Sequence, residues 1–566
     1  MKKFLSFIFV FSFFTIASAQ TVSSLSLEQF NRGEIYVEIN LNHNQDVNKQ
    51  LELLEKTVSI DNYNNLEKTA RAYISINNYA SFLKTGFDFQ ILTAPSLLLP
   101  KSELDKTPNK GTYDWNYYPS YSQYLEMMYQ FEEDYPELCE VVNIGQSLEG
   151  RDILFVHINN NLGEEVDEPE FMYTSTIHGD EVTGYVLMLR LIDHLLVNYS
   201  TDPRIENMVN EIDIWINPLA NPDGTYAGGN NSVSGAMRYN ANFIDLNRNY
   251  ADPEDGDHPD GNEYQTETVH FMDFADEHNF VMSANLHTGA EVINYPWDTW
   301  AKLAADDSWW DFVSREYADT VHVYGPAGYF TDLDNGVTNG YQWYTISGGR
   351  QDYMNYFKQC REVTMELSTI KMPSGNQLPQ YWEANYRSLL NYMEQVLYGV
   401  RGIVTDAVND TPLKAKVFIN SHDIDESHVY SSFPAGNYNR LLKQGIYSFT
   451  FSALGHFDKT ISMVNTDDYL TTILNVALEP NVGAIETKEL DITISPNPAT
   501  NVVNLKLPET NSYEIRLIDG NGKIVQQINS SKGEVKISLI DYPTGNYIIL
   551  LSNEQGETFS KKLIVK

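Results

Sequence analysis

The stretch Tyr173-Thr-Ser-Thr-Ile-His178-Gly-Asp-Glu181 decides how the middle of this 566-residue chain is interpreted. Its apolar part predicts a buried strand, and the segment from Glu181 to Tyr199 predicts a helix. Ligands in α/β proteins lie at the carboxyl ends of such strands, where His178 stands. A Glu three residues later can return to the same point through one helical turn. An imidazole and a carboxylate suit zinc, although a helix N-cap with a Glu in its first turn has the same spacing for structural reasons.

A third ligand is expected from the end of another strand, because catalytic zinc sites hold three protein ligands and one water. Phe280–Leu286 predicts such a strand, and His287 follows it. A packed histidine with a hydrogen-bonded ring is the alternative interpretation of His287 taken alone. The hypothesis that follows is one Zn²⁺ in the domain, held by His178, Glu181 and His287.

Residues 113–398 alternate strand-like and helical segments around this site. The strand-like runs are Asp152–His157, Glu170–Ile177, Glu211–Ile216, Phe280–His287 and Glu362–Leu367. This alternation predicts an α/β domain with a mixed, largely parallel central sheet flanked by helices. Before it, residues 20–112 predict a small α+β unit that ends in a Pro-containing linker from Ala94 to Gly111. Its position suggests a pro-segment, with an ordinary accessory domain as the alternative.

The chain changes character after residue 398. Short alternating strands separated by Gly and Asn/Asp turns predict two β-sandwich domains. The first covers 399–480. The second, with its linker, covers 481–566 and has a turn at Asp519–Gly522 between two strands.

Composition excludes some partners and indicates the compartment. The 38 Lys and Arg against 77 Asp and Glu give a formal charge of −39, which would repel nucleic acid. Lys2-Lys3, an apolar run to Ile16 and Ala17-Ser-Ala19 indicate a signal peptide over 1–19. The alternative, a transmembrane anchor, needs a longer apolar run, so we expect no membrane-spanning segment in the mature chain. Two cysteines supply no disulfide framework.

Eight short elements lie in a fixed order between 178 and 367. They are His178-Gly-Asp-Glu181, Asn221-Pro-Asp-Gly224, Arg238-x-Asn-x-Asn, Asp245-Leu-Asn-Arg-Asn249, Asn285-Leu-His287, Trp343-Tyr-x-x-Ser-Gly-Gly349, Gln351-Asp-Tyr353 and Val363-Thr-Met-Glu-Leu367. In order and spacing they resemble the M14 family of zinc carboxypeptidases. The resemblance runs through nearly all of 113–398.

This resemblance implies an enzyme that hydrolyses the C-terminal peptide bond of peptides or proteins with a free C-terminus. Glu366 would act as general base on a zinc-bound water and then as general acid toward the leaving amine. Arg238 would stabilise the developing oxyanion, and Tyr344 would close over the substrate. Asp245 matches the carboxylate that orients the first histidine ligand.

The resemblance also implies how substrate is held. Arg238, Asn247 and Arg248 match the residues that dock the terminal carboxylate. Within the family the chain looks most like the N/E, or regulatory, branch, in which the residues matching Asp298 and Gln351 receive a basic C-terminal side chain.

A preference for C-terminal Lys or Arg follows, unless Asp298 only caps a loop. Arg350 stands where that branch commonly has Met, and we expect its positive charge beside the specificity pocket. The acidic run 252–263 is a solvated loop or a calcium loop.

The two C-terminal domains resemble known modules as well. Residues 399–480 look like the transthyretin-like domain of the N/E branch. The last module resembles the C-terminal sorting domain of the type IX secretion system, through Ile494-Ser-Pro-Asn-Pro498 and Lys561-Lys-Leu-Ile-Val-Lys566. This implies the secretion machinery as a partner and a location at the outer cell surface or in the medium. A plain accessory β-sandwich is the alternative.

Two other functions stay open at this point. One is a related zinc hydrolase of cell-wall peptides or acyl-amino acids that uses the same metal site. The other is an inactive surface binding module that keeps the fold for adhesion.

Overall fold

The computed structural model describes residues 30–98, 113–163, 167–481, 492–507, 513–518, 524–531, 533–540, 542–553 and 558–566. The chain divides into two compact parts, and the boundary in sequence lies between Glu479 and Pro480. The predicted signal peptide, most of the linker after Ala94 and the turn Asp519–Gly522 lie outside the described residues.

The N-terminal unit, residues 30–98, is a four-stranded antiparallel sheet with two helices. Its elements are β1 (Glu34–Asn40), α1 (Val47–Glu55), β2 (Ser59–Asn64), β3 (Thr69–Ser75), α2 (Tyr79–Thr85) and β4 (Asp88–Ile91). Alternation along β1 puts Ile35, Val37 and Ile39 in one apolar cluster with the helices. Tyr36 and Tyr73 lie in a second cluster with Tyr239 of the following region. One face of this sheet therefore packs on the rest of the molecule.

The central region, residues 113–398, is built on an eight-stranded sheet of order β11-β10-β12-β9-β7-β8-β6-β5. Its strands are β5 (Cys139–Gln146), β6 (Asp152–Ile158), β7 (Glu170–Ser175), β8 (Asp213–Asn217), β9 (Phe280–His287), β10 (Glu291–Tyr295), β11 (Val337–Asn339) and β12 (Arg361–Leu367). Parallel pairings join β8 to β7, β7 to β9, β9 to β12 and β10 to β11, and the other three are antiparallel. The prediction of a mixed sheet flanked by helices is confirmed.

Helices cover both faces of this sheet. They are α3 (Tyr121–Asp134), α4 (Thr183–Asn198), α5 (Pro203–Glu211), α6 (Pro222–Thr225), α7 (Thr266–Glu277), α8 (Asp307–Tyr324), α9 (Asp332–Asn335), α10 (Gly340–Trp343), α11 (Arg350–Phe357) and α12 (Leu378–Glu394). The apolar side chains form two clusters, one including α4 and α12 and the other α7 and α11. Because β8, β7, β9 and β12 run parallel, their carboxyl ends meet at one edge of the sheet.

The segment 399–478, called here the β-sandwich, has two sheets, β16-β13-β19 with β20 paired to β13, and β15-β14-β17-β18. Its strands are β13 (Gly399–Asp406), β14 (Ala415–Ile419), β15 (Val429–Tyr430), β16 (Asn437–Arg440), β17 (Gly445–Ala453), β18 (Lys459–Thr466), β19 (Thr471–Ile473) and β20 (Val476–Leu478). Residues from both sheets share one apolar core.

The C-terminal module is also all β among its described residues. Its strands are β21 (Thr493–Ser495), β22 (Val502–Lys506), β23 (Tyr513–Ile518), β24 (Ile524–Ser531), β25 (Glu534–Ser538), β26 (Gly545–Asn553) and β27 (Thr558–Val565). They form sheets of order β21-β22-β25 and β24-β23-β26-β27 around an apolar core. In the described parts of the chain, no helix is both long and apolar enough to cross a membrane.

Candidate metal centre and substrate cleft

His178, Glu181 and His287 converge at the carboxyl edge of the central sheet. The Nδ1 atom of His178 lies 2.9 Å from Glu181 Oε1, and the Nδ1 atom of His287 lies 2.8 Å from Glu181 Oε2. The two Nδ1 atoms are 3.1 Å apart. Among the described residues this is the group of His, Cys, Asp and Glu side chains whose ligand atoms could hold a metal ion. All three side chains are buried.

The chemistry of this donor set fits a zinc ion. The Nε2 atom of His178 lies 3.0 Å from Asp245 Oδ1, and the Nε2 atom of His287 contacts Asn285 Oδ1. Since those oxygens accept hydrogen bonds, each ring carries its proton on Nε2, and both Nδ1 lone pairs point at each other and at a carboxylate. Burial lowers the pKa of His287 to about 4, which keeps that ring neutral. Two imidazole nitrogens and a carboxylate so arranged could hold a metal ion between them.

The loop that carries His178 and Glu181 is tighter than a helical turn. The sequence predicted that Glu181 returns through a helix, but α4 begins only at Thr183, and the Glu181 amide donates to the His178 carbonyl at 3.1 Å. A Cβ on Gly179 would lie 2.2 Å from the Gly224 carbonyl carbon, so only glycine fits there. Asn221 donates to the Ile177 carbonyl at 3.1 Å, which fixes the loop against α6.

Glu366 lies next to His287 in the parallel pairing of β12 with β9. Its Oε2 atom is buried and has no hydrogen-bond partner among the described residues. Burial, followed by the charge of Glu181, raises the pKa of Glu366 well above its ordinary value. A half-buried carboxyl group with a free oxygen beside the ligand cluster can accept a proton and return it.

Arg238 and Asp245 contact the ligand cluster through buried hydrogen bonds. Arg238 Nε donates to Asp245 Oδ2 at 2.9 Å, and its Nη1 donates to Glu181 Oε1 at 3.2 Å. Burial opposes ionisation of Asp245, but Arg238 and His178 hold its pKa well below the ordinary value. Asp245 therefore remains a carboxylate against the His178 ring.

Arg248 presents an unused edge of its guanidinium. Its Nη1 atom donates to the Asn247 carbonyl at 2.8 Å, whereas Nε and Nη2 have no hydrogen-bond partner among the described residues. Those two atoms form the edge that binds a carboxylate in bidentate fashion. Tyr344 packs against the apolar cluster of the N-terminal unit, and burial raises the pKa of its hydroxyl.

Asp298 and Gln351 lie in a buried polar cluster with Asn294. Asp298 Oδ1 accepts hydrogen bonds from the amides of Asn294 at 3.0 Å and Gln351 at 3.1 Å. The carbonyl oxygens of both amides are buried and have no partner among the described residues. A Cβ on Gly340 would lie 1.8 Å from Asp298 Oδ1, so a larger residue cannot stand there. Burial raises the pKa of Asp298 to about 6.

The expectation for Arg350 is wrong. Its side chain turns away from the pocket into the core, where Nη2 lies 3.1 Å from Glu362 Oε2 and Nη1 contacts Thr174. Only its backbone amide reaches the substrate side, donating to Asn247 Oδ1 at 2.9 Å. The buried carboxylate of Glu362 accounts for this direction, because an unpaired charge in the core is costly.

The acidic run 252–263 is tied into the protein by hydrogen bonds. Asp252 accepts from the amides of Glu254 and Asp255 at 2.9 Å each and from the Gly348 amide at 3.0 Å. Asp255 accepts from the Ser347 hydroxyl at 2.6 Å. Among the described residues the run contributes no cluster of metal ligands, in contrast to the His178 site.

Four residues at the site were not predicted from the sequence. Lys371 Nζ lies 2.5 Å from Glu181 Oε1, and Asp61 of the N-terminal unit lies 2.6 Å from the same nitrogen. Tyr73 donates to Asp180 at 2.5 Å, and Glu55 Oε1 lies 3.3 Å from Arg248 Nε. Three of the four come from 30–98, a segment in which the sequence shows no chemical motif. Only their contacts in the folded protein show that these residues belong to the site.

Comparisons with known proteins agree on the central region. Residues 124–388 match the family model described as zinc carboxypeptidase, and residues 493–566 match a secretion system C-terminal sorting domain. Carboxypeptidase E of Caenorhabditis elegans is 30% identical over 421 residues, covering 66% of this chain and 89% of that protein.

Longer proteins match as well. Carboxypeptidase D of Anas platyrhynchos is 34% identical over 423 residues, 70% of this chain but 29% of its own length. The present chain thus spans less than a third of that relative. The crystal structure of carboxypeptidase A from Helicoverpa armigera superposes with a TM-score of 0.51 at 18% identity, covering 64% of this chain and 96% of that one. That similarity concerns the fold.

Proposed function

Because the chain belongs to the zinc carboxypeptidase family, we propose that it is a secreted metallocarboxypeptidase that removes the C-terminal residue of peptides or proteins. The observation that carries this proposal is the convergence of two unprotonated Nδ1 atoms and the Glu181 carboxylate beside the free Oε2 of Glu366. An inactive binding module has no need for that free carboxyl oxygen.

His178, Glu181 and His287 would hold one Zn²⁺, which supplies a Lewis acid that polarises the scissile carbonyl and acidifies a water. Glu366 takes the proton of the attacking water on Oε2 and passes it to the leaving amine. Arg238, whose Nη1 lies 3.2 Å from Glu181 Oε1, would stabilise the oxygen that gains charge.

The substrate's terminal carboxylate would bind the Nε and Nη2 edge of Arg248, with Asn247 beside it. Asp298, backed by Gln351, would receive the terminal side chain. We propose a preference for Lys or Arg, because the pocket offers a carboxylate and two unpaired amide oxygens. A cation satisfies these acceptors, whereas an apolar side chain leaves them buried and unpaired. Arg350 does not oppose this preference, since its charge is paired with Glu362.

We further propose that the N-terminal unit keeps the intact chain inactive. Glu55 stands against the Arg248 edge that the substrate carboxylate needs, and Asp61 contacts Lys371 beside the ligand Glu181. Tyr344 is held against the apolar cluster of the same unit. While this unit is bound, Glu55 occupies the edge of Arg248 that would bind the substrate's terminal carboxylate. Removal of 20–112 would therefore activate the enzyme.

The C-terminal sorting domain supports export by the type IX machinery to the cell surface or medium. We also propose that 399–480 is a transthyretin-like domain and that the domains have the boundaries predicted above.

The experiment is C-terminal residue release from matched peptides ending in Arg, citrulline, Lys or Phe. The chain carries a specific protease site inserted between residues 99 and 112 and is assayed before and after cutting. We expect the cut, zinc-loaded chain to release Arg and Lys faster than citrulline or Phe, and a zinc chelator to abolish release. Release of no residue from any peptide, or release that the chelator leaves unchanged, would overturn the proposal.

A further inference from the structure

Lys371 is a buried cation that the proposed reaction does not use. Its Nζ atom contacts Glu181 Oε1 at 2.5 Å, Asp61 Oδ1 at 2.6 Å and the Thr288 carbonyl at 3.3 Å. Its side chain is 3% exposed. The residue follows β12, the strand that carries Glu366. An ammonium group in such a place needs carboxylate partners, and one of the two it has belongs to the N-terminal unit.

Two clefts are lined by residues that contact the ligand cluster, Asp245 in the first and Lys371 in the second. The first, of about 740 Å³, is lined by Asp245 and Arg248 of the central region and by Glu55. It contains the proposed dock for the terminal carboxylate. The second, of about 1220 Å³, is lined by Gly289, Trp343 and Lys371. With the terminal carboxylate on Arg248 and the scissile bond at Glu366, the second cleft, whose Lys371 contacts Glu181, is the path open to the rest of the peptide.

Among the described residues that line the second cleft, Lys371 is the basic side chain from the central region. The other cation there, Arg71, belongs to the N-terminal unit. When that unit leaves, Lys371 keeps Glu181 but loses the Asp61 carboxylate. An ammonium then faces the cleft with an open position for an anion.

Asp61 shows that a carboxylate from a separate segment fits this position. Its Oδ1 atom contacts Lys371, while Oδ2 accepts a hydrogen bond from Tyr36 at 2.8 Å, a residue of the same unit. The carboxylate thus enters from the cleft side and ends beside a metal ligand. A peptide that follows this path would bring the side chain on the amino side of the scissile bond to the position that Asp61 occupies.

We propose that Lys371 is a specificity-determining residue that binds an acidic side chain at the penultimate position of the substrate. This inference rests on the proposed function. The substrate class is then peptides with Glu or Asp before a C-terminal Lys or Arg. Asp61 holds the place of that acidic side chain in the intact chain.

The test compares peptides that end in Glu-Arg, Gln-Arg or Lys-Arg, with the chain cut between 99 and 112. We expect kcat/KM for Glu-Arg to exceed that for Gln-Arg roughly tenfold, as one charge-assisted hydrogen bond gives, and Lys-Arg to be slowest. Lys371→Met should bring the Glu to Gln ratio close to one, and Lys371→Arg should keep the preference. Lys302→Met, on an exposed lysine bound to Asp425, is the control and should leave the ratio unchanged.

Zinc content separates this role from support of Glu181. If Lys371→Met retains one zinc and loses only the Glu preference, the inference stands. If the wild-type ratio is close to one, or if Lys371→Met slows both peptides equally, the inference fails and Lys371 only supports Glu181. The Gln-Arg peptide reports the basal reaction: no chelator-sensitive release from it would instead overturn the proposed function.

Discussion

The central region buries charges against both of its neighbours, but in different ways. Against the β-sandwich, the Asp306 carboxylate receives hydrogen bonds from Arg361 at 2.9 Å, from both terminal nitrogens of Arg440 at 2.8 and 3.0 Å, and contacts His422 Nε2 at 2.8 Å. Against the N-terminal unit, Glu55 stands 3.3 Å from Arg248 without a hydrogen bond to its Nε or Nη2.

We propose that this difference separates a permanent interface from a releasable one. A buried carboxylate with several hydrogen bonds across an interface is hard to replace, because separation removes both Arg440 nitrogens and the His422 ring from Asp306. An ion pair with unused donors can be improved upon by another carboxylate. The free donors of Arg248 therefore favour exchange of Glu55 for a substrate C-terminus once the N-terminal unit can leave.

The largest effect is expected at the permanent interface. Asp306→Ala leaves Arg361 and Arg440 buried without their shared carboxylate and should lower the free energy of unfolding by about 3–5 kcal/mol. Denaturant unfolding measures it. Glu383→Ala, which breaks an exposed pair 3.9 Å from Arg387, should change stability by less than ~0.5 kcal/mol. Equal losses in the two variants would contradict the comparison.

A smaller effect is expected at the releasable interface. Glu55→Ala should raise kcat/KM of the uncut chain roughly tenfold, because docking of the N-terminal unit loses its contact with Arg248. Glu52→Ala changes the same residue type on the exposed side of α1 and should have no effect. Release of C-terminal Arg measures both. The comparison is wrong if the uncut wild-type chain is already as active as the cut one.

The two interfaces should also respond oppositely to pH. Burial raises the pKa of Glu55 to about 8, with Arg248 opposing and Asp298, Asp252 and Asp245 adding to the increase. Docking is then strongest below the ordinary glutamate pKa and weakens as pH rises through 8. Burial also opposes ionisation of Asp306, but Arg440 and Arg361 lower its pKa below the ordinary value. The contribution of Asp306 to the stability of the β-sandwich interface is therefore lost only in acid.

Uncut-chain activity relative to cut-chain activity should therefore rise roughly eightfold from pH 7 to about pH 8.5. Glu55→Ala should remove this rise. The ratio of initial rates across this range measures it, and an unchanged slope in Glu55→Ala would assign the rise to another group.

The sequence predicted the parts of the molecule that depend on local pattern. Phe280–His287 is observed with the predicted bounds, because a strand buried on both faces reads as one apolar run ending in its ligand. The strand before His178 was predicted as well, and β7 ends three residues before that histidine. The helical turn between His178 and Glu181 was wrong because Gly179 packs on Gly224, a contact 45 residues away in sequence that no local pattern contains.

Long-range partners explain what the sequence left out. The positive charge of Arg350 was expected beside the pocket. Only the fold shows that this charge is paired in the core with the buried carboxylate of Glu362. Lys371 and Asp61 are single charged residues in unremarkable surroundings, and they meet only because the N-terminal sheet packs on the ligand edge. Spacing cannot predict a contact between separate domains.

The central claim is that Glu366 performs proton transfer beside a zinc ion held by His178, Glu181 and His287. Glu366→Gln keeps the shape of the side chain and removes its ability to take a proton. In the cut, zinc-loaded chain we expect this variant to retain one zinc and to release C-terminal Arg at least about a thousandfold more slowly than wild type. Release at the wild-type rate with zinc retained would contradict the claim.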